Sequence, residues 1–234
     1  MALALAPLGM AQTLRVCVDD QPFPPLTFPD REGKAQSLIR QAAGHYGWAV
    51  EFISVPRRRC HAGVANGKYH ALVPVAPSPG FGTSLVLPQR AGREDEGRSF
   101  GVLRAVLFRV RGTQAGWDGQ RFSGLDTPVL YGSGSVALGD RLQQLDVPGD
   151  DSAKSLRQIL VMLLMGRGQL GLGTEYQVKA ALQEGGFDGR IEVLPVPFMQ
   201  APVYLGVGTD FYSAHQQTIE GIWSRIGELR LVEN

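Results

Sequence analysis

Apolar residues in this chain come in short blocks whose spacing changes from block to block. Leu14 to Val18 is a near-continuous apolar run that ends at Asp19 and Asp20, which predicts a buried strand. After the proline-rich stretch "QPFPPLTF", Ala35, Leu38, Ile39, Ala42, Ala43 and Tyr46 recur on one helical face, and Gly47 stops that helix. Val50 to Val55 predicts a second strand. Pro56 then opens a short helix, where its missing N–H costs nothing, and Asn66-Gly67 closes it. Tyr69 to Val75 predicts a third strand. Strand, helix, strand, helix, strand with short links is the signature of a parallel α/β sheet.

The polar stretch Gln89 to Ser99, "QRAGREDEGRS", breaks this pattern and reads as a loop. Beyond it, Val102 to Val110 alternates as a strand, and Pro128 to Tyr131 forms another that runs into "GSGS" and a helix from Val136 to Leu145. Ser155 to Met165 is a helix apolar almost all round. Leu170 to Gly173 is a strand, and Tyr176 to Glu184 is a helix ended by Gly185-Gly186. Ile191 to Val196 and Val203 to Gly208 are strands, and the last helix carries Ile219, Ile222, Trp223, Ile226 and Leu229 on one face. The strand–helix unit therefore occurs twice, and the chain returns at its end.

Composition narrows the function classes. The 234 residues are 44% hydrophobic, enough to bury one large core or two small ones. A net charge of +1, from 23 basic and 22 acidic residues, argues against a nucleic-acid binder. Residues 1–11, "MALALAPLGMA", read as the remnant of an export signal, with a frayed terminus as the alternative. Two cysteines cannot build a zinc cluster, and the four histidines show no paired ligand spacing, so no metal or cofactor is expected. In an exported protein Cys17 and Cys60 could pair; the alternative is two separate buried thiols.

Several local motifs could carry chemistry. Gly166 to Gly171 matches G-x-G-x-x-G, but a helix precedes it and a strand follows, the reverse of a dinucleotide site, so it reads as a helix stop and turn. Gly132-Ser133-Gly134-Ser135 follows a strand and opens a helix, where free N–H groups and the Ser133 and Ser135 hydroxyls could meet an anion. Phe23, on a proline-stiffened loop, is placed to stack on a ligand; Phe28 belongs more naturally to the core, and Asp20 ends the first strand. Among Arg57, Arg58 and Arg59, only Arg57 shares a helix face with Cys60 and Val64. Cys60 and His61 point apart as adjacent helical residues and do not form a reactive pair.

The order of these features resembles the periplasmic solute-binding proteins of the amino-acid-binding type (family 3, type II fold). The resemblance rests on "FPPLTF", "SVPRRRCHAGVANGKYHALVPV", "VLYGSGSV" and "MGRGQLGLGTE" and covers nearly the whole chain. It implies two lobes, each a mostly parallel sheet flanked by helices, with residues 12–100 and 202–234 in the first and 101–201 inserted as the second. Ligand would sit between them, with hinges near Ser99 to Leu103 and Phe198 to Pro202. It also implies a monomer that serves a membrane permease or sensor.

This chain departs from that family at its charge anchors. The position of the carboxylate-gripping arginine falls near Phe81-Gly82, and the carboxylate that meets an α-ammonium is matched by Thr174, with Glu175 beside it. His70 stands in place of an aspartate, and Arg57 in place of a cleft-facing aromatic. A standard α-amino acid is therefore not the expected ligand; a different small polar or anionic molecule is. Two further readings keep the fold. One is an accessory module similar to those associated with periplasmic quinoprotein dehydrogenases, which "LRVCVDD" resembles. The other is a dehydratase-type enzyme in which Glu175 transfers a proton.

Overall fold

A computed structural model describes residues 12–187 and 189–232; the expected export signal lies outside the described residues. The first lobe begins with β1 (Thr13–Asp19), α1 (Lys34–His45), β2 (Ala49–Val55), α2 (Arg57–Ala65) and β3 (Ala71–Val75), followed by the short strand β4 (Leu85–Val86). The polar stretch read as a loop contains a hairpin, β5 (Gln89–Arg90) and β6 (Arg93–Glu94). Its two-residue turn needs left-handed backbone at both central positions, which Ala91 (φ 51°) and Gly92 (φ 77°) supply.

The second lobe opens with β7 (Val102–Val110) and a small hairpin of β8 (Gly116–Trp117) and β9 (Phe122–Ser123). It continues through β10 (Val129–Gly132), α3 (Val136–Gln144), β11 (Gly149–Ala153), α4 (Leu156–Leu164), β12 (Gly171–Thr174), α5 (Glu175–Gln183), β13 (Ile191–Val193) and β14 (Met199–Pro202). Then β15 (Tyr204–Gly208) and α6 (Thr209–Val232) return to the first lobe. Strand β11 was not anticipated. Its sequence, GDDSA, has one buried residue, Ala153, and it lies at a sheet edge where apolar alternation is not required.

The two sheets share one plan. The first runs β2-β1-β3-β15-β4 and the second β11-β10-β12-β7-β13. In each, the first three strands in that order are parallel, and the fourth runs antiparallel to its neighbour and arrives from the other lobe. The two crossing segments lie side by side: β7 pairs with β14 from Val102↔Pro202 to Ala105↔Met199. The Phe100 N–H also donates to the Val203 carbonyl at 2.7 Å, and the Val203 N–H to that of Gly101 at 3.0 Å.

Each sheet is buried on both faces, which explains the near-continuous apolar runs. On β7, Val106 and Phe108 face Ile159, Leu160 and Leu163 of α4, while Ala105 and Leu107 face Leu138, Leu142 and Phe198 on the other side. In the first lobe, Leu38, Ile39 and Ala42 of α1 pack with Ile219, Ile222 and Trp223 of α6. The fully buried Trp223 donates from Nε1 to the Leu205 carbonyl at 2.9 Å. The glycine-rich segment after α4 serves packing: a side chain on Gly168 would strike Leu130, and one on Gly171 would strike Phe108.

The cysteines pair. A Cys17–Cys60 disulfide ties β1 to α2 across a Cα–Cα distance of 5.5 Å, with both residues buried.

Candidate functional site

In a strand–helix–strand layout every helix starts at the carboxyl end of a strand, so helix N-termini collect on one side of the sheet. Here they line a cleft of about 120 Å³ between the lobes. The second lobe contributes three such starts. Ser135 and Val136 open α3, Ser155 and Leu156 open α4, and Thr174 caps α5 with Gln177 one turn further on. Ser155 Oγ and Thr174 Oγ1 accept from the N–H groups of Gln158 and Gln177, each at 3.3 Å, whereas Ser135 Oγ makes no cap bond. The first lobe contributes Asp19 at the end of β1, Gln21 and Phe23 from the loop beyond it, and Arg57 at the start of α2. Leu103, Ala105, Met199 and Ala201, from the crossing strands, line the cleft between these two walls.

Arg57 is the central cation of this cleft. Its Nη2 donates to the Pro74 carbonyl at 2.7 Å, and its guanidinium lies 5.9 Å from the Phe23 ring centre. Among the described residues, no carboxylate comes within ion-pair distance of it. Burial lowers its pKa and the charge of Asp19 opposes that shift. Asp19 is pushed the other way: burial raises its carboxyl to about 6 against the pull of Arg57. His61, behind Arg57, is lowered to about 4 by burial and by the same guanidinium.

Of the residues singled out from sequence, Phe23, Arg57, Phe81, Ser133, Ser135 and Thr174 lie together on the cleft. Asp20 does not. Successive strand side chains point to opposite sides, so Asp19 turns into the cleft and Asp20 is exposed. Glu175 is also outside, half-exposed and paired with Arg104 at 3.6 Å. Phe28 is half-buried beneath the Arg31 guanidinium at 3.7 Å rather than in the core. His70 sits on another face, stacked on Phe211 at 4.0 Å.

The GSGS turn differs from expectation in what it offers. Two of its N–H groups are spent within the protein, Ser133 on the Ala153 carbonyl at 2.8 Å and Ser135 on that of Gly132 at 3.1 Å. Those two donors are therefore not offered to the cleft, where the Ser133 and Ser135 side chains are. Several polar cleft residues are not among those the sequence singles out, including Asp19, Gln21, Lys154, Ser155 and Gln177. Ser155 was legible in principle, because Ser155 and Gln158 form a capping pair that marks a helix start at a strand end. Gln177, whose Nε2 donates across the cleft to the Pro22 carbonyl at 3.3 Å, had no such mark.

No protein-family model matches the chain, and no curated protein does either. Solved structures do. The GluR0 ligand-binding core in complex with L-glutamate superposes with a TM-score of 0.72 at 15% identity, covering 96% of both chains. A histidine kinase sensor domain with similarity to periplasmic binding proteins gives 0.73 at 13% identity, covering 95% of this chain and 92% of that one. The Streptococcus pneumoniae substrate-binding protein AbpA of an amino acid ABC transporter, bound to L-arginine, gives 0.71 at 12% identity, covering 94% and 90%. At such identities the likeness establishes the fold, which is the two-lobed architecture of the periplasmic binding proteins.

Proposed function

We propose that this protein is an exported solute-binding protein that captures a small anionic ligand between its lobes, without covalent chemistry, and presents it to a membrane partner. The observation that carries this reading is Arg57, a desolvated guanidinium with no ion-paired carboxylate among the described residues, sharing one cleft with three helix N-termini, two of them hydroxyl-capped. Helix N-termini and a guanidinium both favour negative charge. Phe23 and Phe81 add apolar faces, so a carboxylate on a small, partly apolar body matches the lining best. The cleft volume of about 120 Å³ keeps that body small.

The solved structures of this fold include a transporter component and a kinase sensor domain, so both a permease and a sensor remain partners to test. A dehydratase role for Glu175 finds no support in a carboxylate that is half-exposed, ion-paired and outside the cleft.

The experiment is a thermal-shift screen of small carboxylates and other small anions, followed by calorimetry on the hits. Arg57→Met keeps the apolar stem and removes the charge. It should weaken binding by about 10- to 100-fold, the value of one charge-assisted contact. Undiminished affinity in that variant would sink the anion reading.

A further inference from the structure

The two lobes also grip each other directly, through residues flanking the cleft. Arg58, next to Arg57 on α2, donates from Nε to Ser133 Oγ at 2.8 Å and pairs through Nη2 with Asp151 at 2.5 Å. One turn on, His61 Nε2 lies 3.2 Å from the Gly134 carbonyl oxygen. A carbonyl can only accept, so Nε2 carries the proton. On α3, Asp140 accepts from the Gly80 N–H at 2.7 Å and from the Ser78 hydroxyl. Glycines allow this approach. A Cβ on Gly80 would sit 2.6 Å from Val136, and one on Gly134 would sit 3.1 Å from the Arg58 backbone.

Apart from the Ser133 hydroxyl, which also lines the cleft, the residues in these contacts lie outside the ligand space, and all of the contacts would break in one opening motion. We infer that they form a latch that holds the lobes closed at rest, so ligand entry waits on release of Arg58 from Asp151 and of Asp140 from Ser78 and Gly80. The exposed Arg58 pair contributes little alone, but contacts that break together add within a single equilibrium. The inference concerns regulation of the cleft and rests on reading that cleft as a ligand site. The latch itself can be measured with no ligand present.

The test begins by stripping bound metabolites, through unfolding in guanidinium chloride without reductant and then refolding. Spin labels are placed on Asp30→Cys in the first lobe and Lys179→Cys in the second, both exposed positions. Pulsed electron resonance then reads the interlobe distance. The expected result is one short-distance population without ligand, with a longer-distance population appearing in Arg58→Ala/Asp140→Asn. The closed-to-open ratio should fall at least about tenfold. Circular dichroism checks that the double variant folds; the exposed Arg58→Gln gives the same reading if it does not.

A parent protein that is mostly open without ligand overturns the latch, and so does one whose distances ignore both variants. A parent that is open and closes on a small carboxylate would overturn the latch while the binding reading stands. A closed parent that no small anion perturbs would support the latch and overturn the binding reading.

Discussion

Arg57 and Arg58 are neighbours on one helical turn, yet they serve different partners. The first lines the cleft and the second reaches across to the other lobe. Helical geometry separates consecutive side chains by about 100°, which is why the sequence could single out Arg57 but could not assign Arg58 a role. Asp19 adds a pH dependence. Its carboxyl titrates near 6 because burial disfavours its charge, so below that pH the cleft carries Arg57 largely unopposed. Above it, a carboxylate competes with an incoming anion. Affinity for an anionic ligand should therefore fall several-fold as pH rises through about 6, and Asp19→Asn should flatten the profile. Calorimetric titrations between about pH 5 and pH 8 would check this. Affinity that rises over the same interval would contradict it. A strand end with two adjacent carboxylates leaves a one-residue ambiguity of side, and only the observed register resolves it.

At the scale of elements, α2 carries both the cleft cation and the interlobe contacts, and its position is set by a covalent bond. The disulfide to β1 closes a loop with a sequence separation of 43 residues. Chain-entropy arguments give such a crosslink about 4 kcal/mol, with native relaxation reducing the figure. Cys17→Ala/Cys60→Ala should lower unfolding stability by about 2–4 kcal/mol in denaturant melts and weaken ligand binding through a less fixed Arg57. Stability unchanged within about 0.5 kcal/mol would count against a structural role for the bond. Most helices were legible because their apolar faces repeat with the right period, as in Leu38, Ile39 and Ala42. The polar edge strand β11 and the hairpin β5–β6 were not. The first has one buried side chain, and the second is held by turn geometry in an otherwise polar segment.

For the molecule as a whole, closure brings together residues far apart in the chain. Arg58 meets Asp151 across 93 positions, and Gly80 meets Asp140 across 60. No local pattern announces such pairs, so the lobes were legible from repeated strand–helix units while the seam between them was not. A bismaleimide crosslink between Ser78→Cys and Asp140→Cys should trap the closed form. Stopped-flow association of a ligand found in the screen should slow by at least about tenfold relative to the uncrosslinked variant. Equal rates would mean that the ligand reaches Arg57 without the lobes parting.

The pairing of β7 with β14 limits how that parting can occur. A single connecting strand would let one lobe swivel, tilt and twist about the other. Two strands held together from Val102↔Pro202 to Ala105↔Met199 act as a strap hinge, which resists twisting and leaves bending as the easy motion. A search over three rotations would collapse towards one, so a closing stroke of the proposed kind would return Arg57 to the same three helix ends. On the proposed reading, such a ribbon would make recognition repeatable, because each ligand would meet the two walls in the same alignment.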